Sequence, residues 1–162
     1  MLKVMTIRYA KTTDIPQLVE LAKKMANYHY TLDPGHYREA SAYEHLDTYP
    51  NEWINDKKSI VVVAEEGNEI KGYCIAAIED ARDFMVPHIK KIGVIHGVFV
   101  DDTSRKLGIG RALVARAITW LEQKGACHIE LTVDANNRES YAVWKKLGFV
   151  DYKIKMRLTR SK

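Results

Sequence analysis

The chain has 162 residues, 46% hydrophobic and 28% charged, a balance that fills a core and excludes a disordered chain. Its net charge of +4 is spread along the sequence with acidic residues interleaved, so it calls for no nucleic-acid partner; a polyanionic ligand explains the excess equally well. No apolar run approaches the roughly 18 residues of a membrane span, the first residues lack the apolar stretch of a secretory signal, and Cys74 and Cys127 show no metal spacing. The expectation is a cytoplasmic protein with reduced thiols, no metal and no membrane contact.

Residues 4–9 read as a first strand. Thr12 or Thr13 can cap a helix whose Ile15, Leu18, Val19, Ala22 and Met25 keep helical spacing, with Pro16 in the first turn where its missing N–H does no harm. Residues 28–50 are rich in His, Tyr and acidic side chains and broken at Pro34-Gly35, so they read as a loop followed by a less regular helix reaching Asn55. Residues 59–65 and 70–79 read as strands joined by the hairpin signal Glu66-Gly67-Asn68-Glu69. A polar loop with Pro87 fills 80–91, and 92–100 is a Val-rich strand.

From about Gly108 to Lys124 a helix carries Leu113, Val114, Ala117, Ile118 and Leu121 on one stripe and stops at Gly125. Residues 128–133 alternate as a strand. Asn136 with Glu139 three residues on signals a helix start; that helix runs to Leu147, Gly148 stops it, and 149–158 alternates as a last strand. A full helix between strands 92–100 and 128–133 requires them to be parallel, so the sheet is mixed.

The junction between strand 92–100 and the following helix carries the chemistry. Val98-Phe99-Val100 runs through Asp101-Asp102-Thr103-Ser104 into Arg105-Lys106-Leu107-Gly108-Ile109-Gly110-Arg111. Glycines let backbone close on a ligand, a helix start offers unpaired N–H groups, and Arg105, Lys106 and Arg111 add positive charge. This is a diphosphate cradle. The spacing fits neither a Walker loop nor the dinucleotide fingerprint, whose third small residue is replaced by Leu113.

Arg-x-x-Gly-x-Gly after a Val-rich strand resembles the pyrophosphate-binding turn of the GNAT superfamily of N-acetyltransferases. The run Asn137-Arg138-Glu139-Ser140-Tyr141-Ala142-Val143-Trp144-Lys145-Lys146-Leu147-Gly148-Phe149 resembles the family's second motif, and Ile7-Arg8 with Asp14-Ile15-Pro16 resembles its opening. The resemblance covers nearly the whole chain. It implies an α/β (mixed α+β) fold forming one domain over 1–162, with a central mixed sheet of about six to seven strands flanked by about four helices. It also implies acetyl-CoA as co-substrate and direct attack by an amine in a ternary complex.

On that resemblance the amides of Leu107, Gly108, Ile109, Gly110 and Arg111, with Arg105 and Lys106, hold the pyrophosphate. Val98, Phe99 and Val100 face the pantetheine, with Asn137, Ser140 and Trp144 on its other side. A backbone N–H near Phe99 or Val100, freed by a bulge for which Gly97 is a suitable place, steadies the carbonyl. His96 is the candidate base, because histidine titrates nearest neutrality. Trp144 stands where many members have a Tyr that protonates the thiolate, so either Tyr141 supplies that proton or no dedicated acid does.

Tyr28, His29, Asp33 and Asp80, with Tyr30, His36, Tyr37, Glu79, Asp83 and Phe84 nearby in sequence, suit a cationic amine. A small-molecule amine is the expected substrate. The alternatives are a protein or peptide N-acetyltransferase and a non-catalytic acyl-CoA sensor. The resemblance also implies a possible homodimer.

Overall fold

The computed structural model describes residues 4–80 and 91–160. They form two compact units that divide after Thr132. The first unit holds β1 (Met5–Tyr9), α1 (Ile15–Leu32), α2 (Tyr49–Asn55), β2 (Ser59–Glu66), β3 (Glu69–Asp80), β4 (Lys91–Val100), α3 (Ile109–Gln123) and β5 (His128–Leu131). The second holds α4 (Arg138–Lys146). The expected loop at Asp83, Phe84 and Pro87 lies outside the described residues.

The strands lie in the order β1-β2-β3-β4-β5. The first four are antiparallel neighbours, whereas β4 and β5 are parallel, as the intervening helix requires. One face of the sheet packs Val61, Val63, Tyr73, Ile75 and Phe99 against Leu18 and Leu21 of α1, with Tyr49 and Trp53 of α2 beside them. The other face receives Leu113, Val114, Ala117 and Leu121 of α3, all buried. Covered on both sides, residues 60–64 of β2 are buried without a break, so this strand shows no alternation. Each such Val or Leu side chain contributes about 1.5–3 kcal/mol.

Three elements differ from expectation. Helix α1 continues through Tyr28 to Leu32, because Tyr28 and Leu32 extend the spacing begun at Leu18, Leu21 and Met25. It stops at Asp33, which precedes Pro34 and has left the helical region at φ −150°. The sheet has five strands among the described residues, not six to seven. The missing one is the expected last strand: 149–158 forms no ladder, and Val150, Tyr152, Ile154, Met156 and Leu158 are exposed. Alternation marks a segment able to pair; it does not supply the pairing.

Helix α4 is capped by Asn137 rather than Asn136, its side-chain oxygen accepting from Ser140 N at 3.1 Å. Its end explains the Lys146-Leu147-Gly148-Phe149 run. Gly148 takes φ +93°, its N–H bonds Lys145 O, and Phe149 N–H reaches back to Trp144 O at 3.1 Å. The Trp144 and Phe149 rings then meet edge to face at 5.3 Å, the apolar contact that accompanies this stop.

The opening motif is an ion-pair brace. Arg8 on β1 grips Asp14 with two bonds of 2.7 and 2.9 Å and Glu65 on β2 with a third of 2.8 Å. Asp14 also accepts Lys11 N–H at 2.7 Å, closing the turn into α1. The Arg8 guanidinium holds the buried Asp14 carboxyl below the usual range. A depressed folded value stabilises above the ordinary carboxyl range and is lost as pH falls through it. Asp14→Asn is expected to cost about 1–2 kcal/mol at pH 7. The variant's melting temperature, followed by circular dichroism, should also fall less steeply than wild type below about pH 4.

Candidate active site

Strand β4 is paired unequally on its two edges. Toward β3 its pairing runs the full length, Lys91 opposite Asp80 to Val100 opposite Gly72. Toward β5 it pairs only from Ile92 opposite His128 to Ile95 opposite Leu131. Beyond Ile95 that edge has no strand neighbour among the described residues. Asp101 N–H bonds Lys71 O at 2.8 Å, which makes Gly72 and Val100 a pair whose own peptide groups point away from each other. By alternation the N–H and C=O groups of Val98 and Val100 face the open edge, and those of Phe99 face β3.

A bulge interrupts the same stretch. Gly97 pairs with Ile75 and Ile95 with Ala76, leaving His96 as the extra residue on β4. A Cβ on Gly93 would press on Leu121 of α3, so Gly93 and Ile95 face α3. A Cβ on Gly97 would instead meet Met25 of α1, on the opposite face. His96 and Gly97 therefore turn consecutively to the α1–α2 side, and the absence of a side chain at Gly97 leaves His96 room.

There the His96 ring lies 4.5 Å from the Trp53 ring of α2, tilted by 40°. Its Nε2 lies 3.0 Å from Glu79 Oε1 of β3, and its side chain stays 26% exposed, within reach of solvent and ligand. Trp53 was not expected at the site. Its signal was the Tyr49–Trp53 spacing of one helical turn, inside a segment whose other residues looked irregular.

After Val100 the chain is pinned before it turns. Asp101 accepts from Thr103 N at 3.2 Å and Oγ1 at 2.8 Å and pairs with Lys24 of α1, contacts that hold its carboxyl down at about 2. Arg105, expected to face a diphosphate, turns inward: Nε donates to Val100 O at 3.2 Å and Nη2 meets Asp102 Oδ1 at 2.7 Å. Its guanidinium sits 5.6 and 5.8 Å from the Tyr28 and Phe99 ring centres. It is a clip across the turn.

Lys106 and Gly108 take positive φ of 64° and 78°. Backbone that alternates in this way makes a concave nest of N–H groups. Gly108 is also the N-cap of α3 and supplies no capping side chain. At Gly110 an added Cβ would meet only Val100 Cγ2, at an ordinary 3.7 Å. Nothing in the chain itself forbids a side chain there. Lys106, Leu107 and Arg111 are exposed around the nest, and buried Ile109 anchors it. An uncapped helix start with an open approach and two free-standing cations fits a diphosphate.

The expected acceptor residues are scattered. Tyr28 and His29 lie in the last turns of α1, and Asp33 ends that helix. His29 stacks toward Tyr37 at 5.0 Å, Tyr28 approaches Arg105, and exposed Asp80 faces Lys58 at 3.4 Å. In the second unit Tyr141 donates its hydroxyl to Asp151 at 2.9 Å, which raises its pKa. Asn137 is committed to capping Ser140.

Residues 18–149 match the model of the acetyltransferase (GNAT) family. The chain belongs to that family. Membership makes it an acetyl-CoA-dependent acyltransferase, as its two glycine-containing motifs implied. It is 24% identical over 145 residues to an uncharacterised N-acetyltransferase, YhfO, of Bacillus subtilis, covering 90% of this chain and 89% of that one. It is 41% identical over 58 residues to a mycothiol acetyltransferase of Kocuria rhizophila, a match covering 36% of this chain and only 19% of the longer protein. The fold resembles the aminoglycoside N-acetyltransferase AAC(6')-Iy, solved with CoA, with a TM-score of 0.75 and 19% identity over 99% of this chain and 97% of that one.

Gly110→Asp separates the cradle's two properties in this GNAT chain. A carboxylate in the first turn of α3 favours the helix but repels a diphosphate. The variant should melt no lower than wild type, yet bind CoA at least about tenfold more weakly by calorimetry.

Proposed function

We propose that this GNAT enzyme transfers the acetyl group of acetyl-CoA to the primary amine of a small molecule, with both bound at once. The observation that carries this reading is the bulge, which turns His96 toward the α1–α2 side at the point where β4 parts from β5. Bound acetyl-CoA supplies an activated thioester whose acyl group the amine nitrogen takes up, with the thiol as leaving group.

The chain's residues then have distinct tasks. The amides of Leu107, Gly108, Ile109, Gly110 and Arg111, with the Lys106 and Arg111 side chains, grip the diphosphate. Arg105 stiffens their approach from Val100. The outward peptide groups of Val98 and Val100 hold the pantetheine as an added strand would, and Val100 N–H is a donor for a developing oxyanion. Phe99 contributes its ring to the wall rather than its amide, since its peptide groups face β3. Asn137, Ser140 and Trp144 belong to the family's second motif, inside the matched residues 18–149, and that resemblance alone assigns them to the pantetheine.

A primary amine with pKa about 10.4 is free base in only about one molecule in 2,000 at pH 7, so proton removal matters. His96 takes that proton. Tyr141 is poorly suited to give one to the departing thiolate, because its hydroxyl is held by Asp151 and its pKa is raised. Solvent water then serves as the acid. Tyr28, His29, Asp33 and Asp80 supply aromatic faces and carboxylates that suit a cationic acceptor. The mycothiol and aminoglycoside acetyltransferases among the similar proteins make a small polar amine the first class to try.

Thiol release from acetyl-CoA should be measured against kanamycin, spermidine, phenylethylamine, lysine and a peptide with a free N-terminus. Turnover of a small amine supports the proposal, turnover of the peptide alone redirects it to protein N-acetylation, and CoA binding without turnover points to an acyl-CoA sensor. With the best amine, His96→Gln should lower kcat at pH 7 by about 100-fold and flatten the rise of kcat/KM with pH, leaving acetyl-CoA binding intact. An unmoved profile removes His96 from the chemistry.

A further inference from the structure

Three groups on three elements converge at the bulge: the His96 imidazole from β4, the Glu79 carboxylate from β3 and the Trp53 indole from α2. We propose that Glu79 is the positioning residue for His96: it fixes which ring nitrogen takes the acceptor's proton and stabilises the imidazolium that results, while Trp53 holds the ring plane. This rests on the reading of His96 as the base and deepens it.

Glu79 Oε1 lies 3.0 Å from Nε2. A carboxylate only accepts, and two lone pairs at that distance repel, so Nε2 carries the hydrogen of the neutral ring. The lone pair is then on Nδ1, which has no partner among the described residues. The position of Glu79 follows from the same register shift. Glu79 pairs with Ile92, three residues before Ile95, and lies on the face of β3 shared by Tyr73 and Ile75. Strict alternation through residues 92–96 puts His96 on that face, and the bulge then lets Gly97 share it without competing. The carboxylate thus reaches the ring from its own sheet face, past the small side chain of Ala77.

Trp53 closes the other side. It packs on the core with Tyr49, and Ser59 Oγ bonds its carbonyl, which secures the end of α2. An indole ring 4.5 Å from an imidazole limits rotation of that ring. Among the described residues, the groups that face His96 are Glu79 from β3, Trp53 with the Tyr49 phenol behind it from α2, and the uncharged Met25 of α1 beside Gly97.

The step is a single proton transfer. The acceptor ammonium breaks one N–H bond, Nδ1 of neutral His96 takes the proton, and the amine keeps the electron pair as a nucleophile. The imidazolium, now bearing hydrogen on both nitrogens, forms an ion pair with Glu79. It later returns its proton to water, so no charge accumulates over a cycle.

The test compares wild type, Glu79→Gln and Glu79→Asp. The His96 tautomer is read from its ring 15N shifts by two-dimensional 1H–15N NMR, and kcat and KM are measured with whichever of kanamycin, spermidine or phenylethylamine is turned over best. The neutral wild-type ring should carry its hydrogen on Nε2, and removing the charge should lower that tautomer's share. The kcat of Glu79→Gln should fall by about tenfold or more with the KM for acetyl-CoA unchanged, and Glu79→Asp should recover part of both.

A tautomer population that Glu79→Gln leaves unchanged overturns the inference whatever the acceptor. A tautomer that changes while kcat does not makes the pair incidental to the reaction, and also overturns it. The base reading fails separately, through an unmoved His96→Gln profile; Glu79 then has no proton transfer to position.

Discussion

Everything at the candidate site follows from how far β5 accompanies β4. Four paired positions, Ile92 to Ile95, join the two strands; past them β4 continues alone to Val100. Backbone N–H and C=O groups along an open strand edge are a ready template for an extended partner. Here the edge carries the outward peptide groups of Val98 and Val100, an extended surface matching an extended ligand. Parting the strands also gives the bulge at His96 its consequence, because it re-aims a side chain beside an edge that β5 no longer covers.

Two electrostatic contacts hold the far end of β4, and a third holds the start of α1. Arg105 clips the carbonyl of Val100 while resting between Tyr28 and Phe99. Asp101 ties the strand's end to Lys24 on α1 and closes the short turn through Thr103. Arg8, with Asp14 and Glu65, fixes the start of α1 against β1 and β2. Because α1 lies against the face that bears His96, each clip also helps set the distance between helix and bulge. The cations that first look like ligands divide accordingly: Arg105 is spent on the fold, while Lys106 and Arg111 remain exposed at the nest.

The parts legible in the sequence are those in which one residue type answers one local demand. Gly108 at positive φ, Gly148 in the stop after α4 and the parallel crossover forced by α3 are of that kind. The hairpin at Gly67 and the apolar stripe of α3 belong with them. Less legible were features decided by a partner far along the chain. Residues 149–158 alternate well enough for a strand but find no ladder, and α1 runs past its apparent end because Tyr28 and Leu32 continue its buried stripe. At the site, His96 and the irregularity near Gly97 could be anticipated on one strand. Their meeting with Glu79 and Trp53 could not, since it depends on a cross-strand register shift and on a short helix from an irregular segment.

On the proposed function, donor and acceptor are recognised by different kinds of group. The donor side is then mainly backbone: nest amides at the start of α3 and peptide groups along β4. Backbone is indifferent to most substitutions, so the donor site tolerates change wherever φ and space are kept. The acceptor side in that proposal is mainly side chains, drawn from the end of α1, from α2 and from the end of β3, and the stretch between α1 and α2 is long and irregular. Such segments exchange residues at little cost to the core. One constant acyl donor can therefore be combined with many acceptors. His96 stands at the boundary: its backbone position is dictated by the sheet, while its ring is flanked by side chains of two neighbouring elements, Glu79 of β3 and Trp53 of α2.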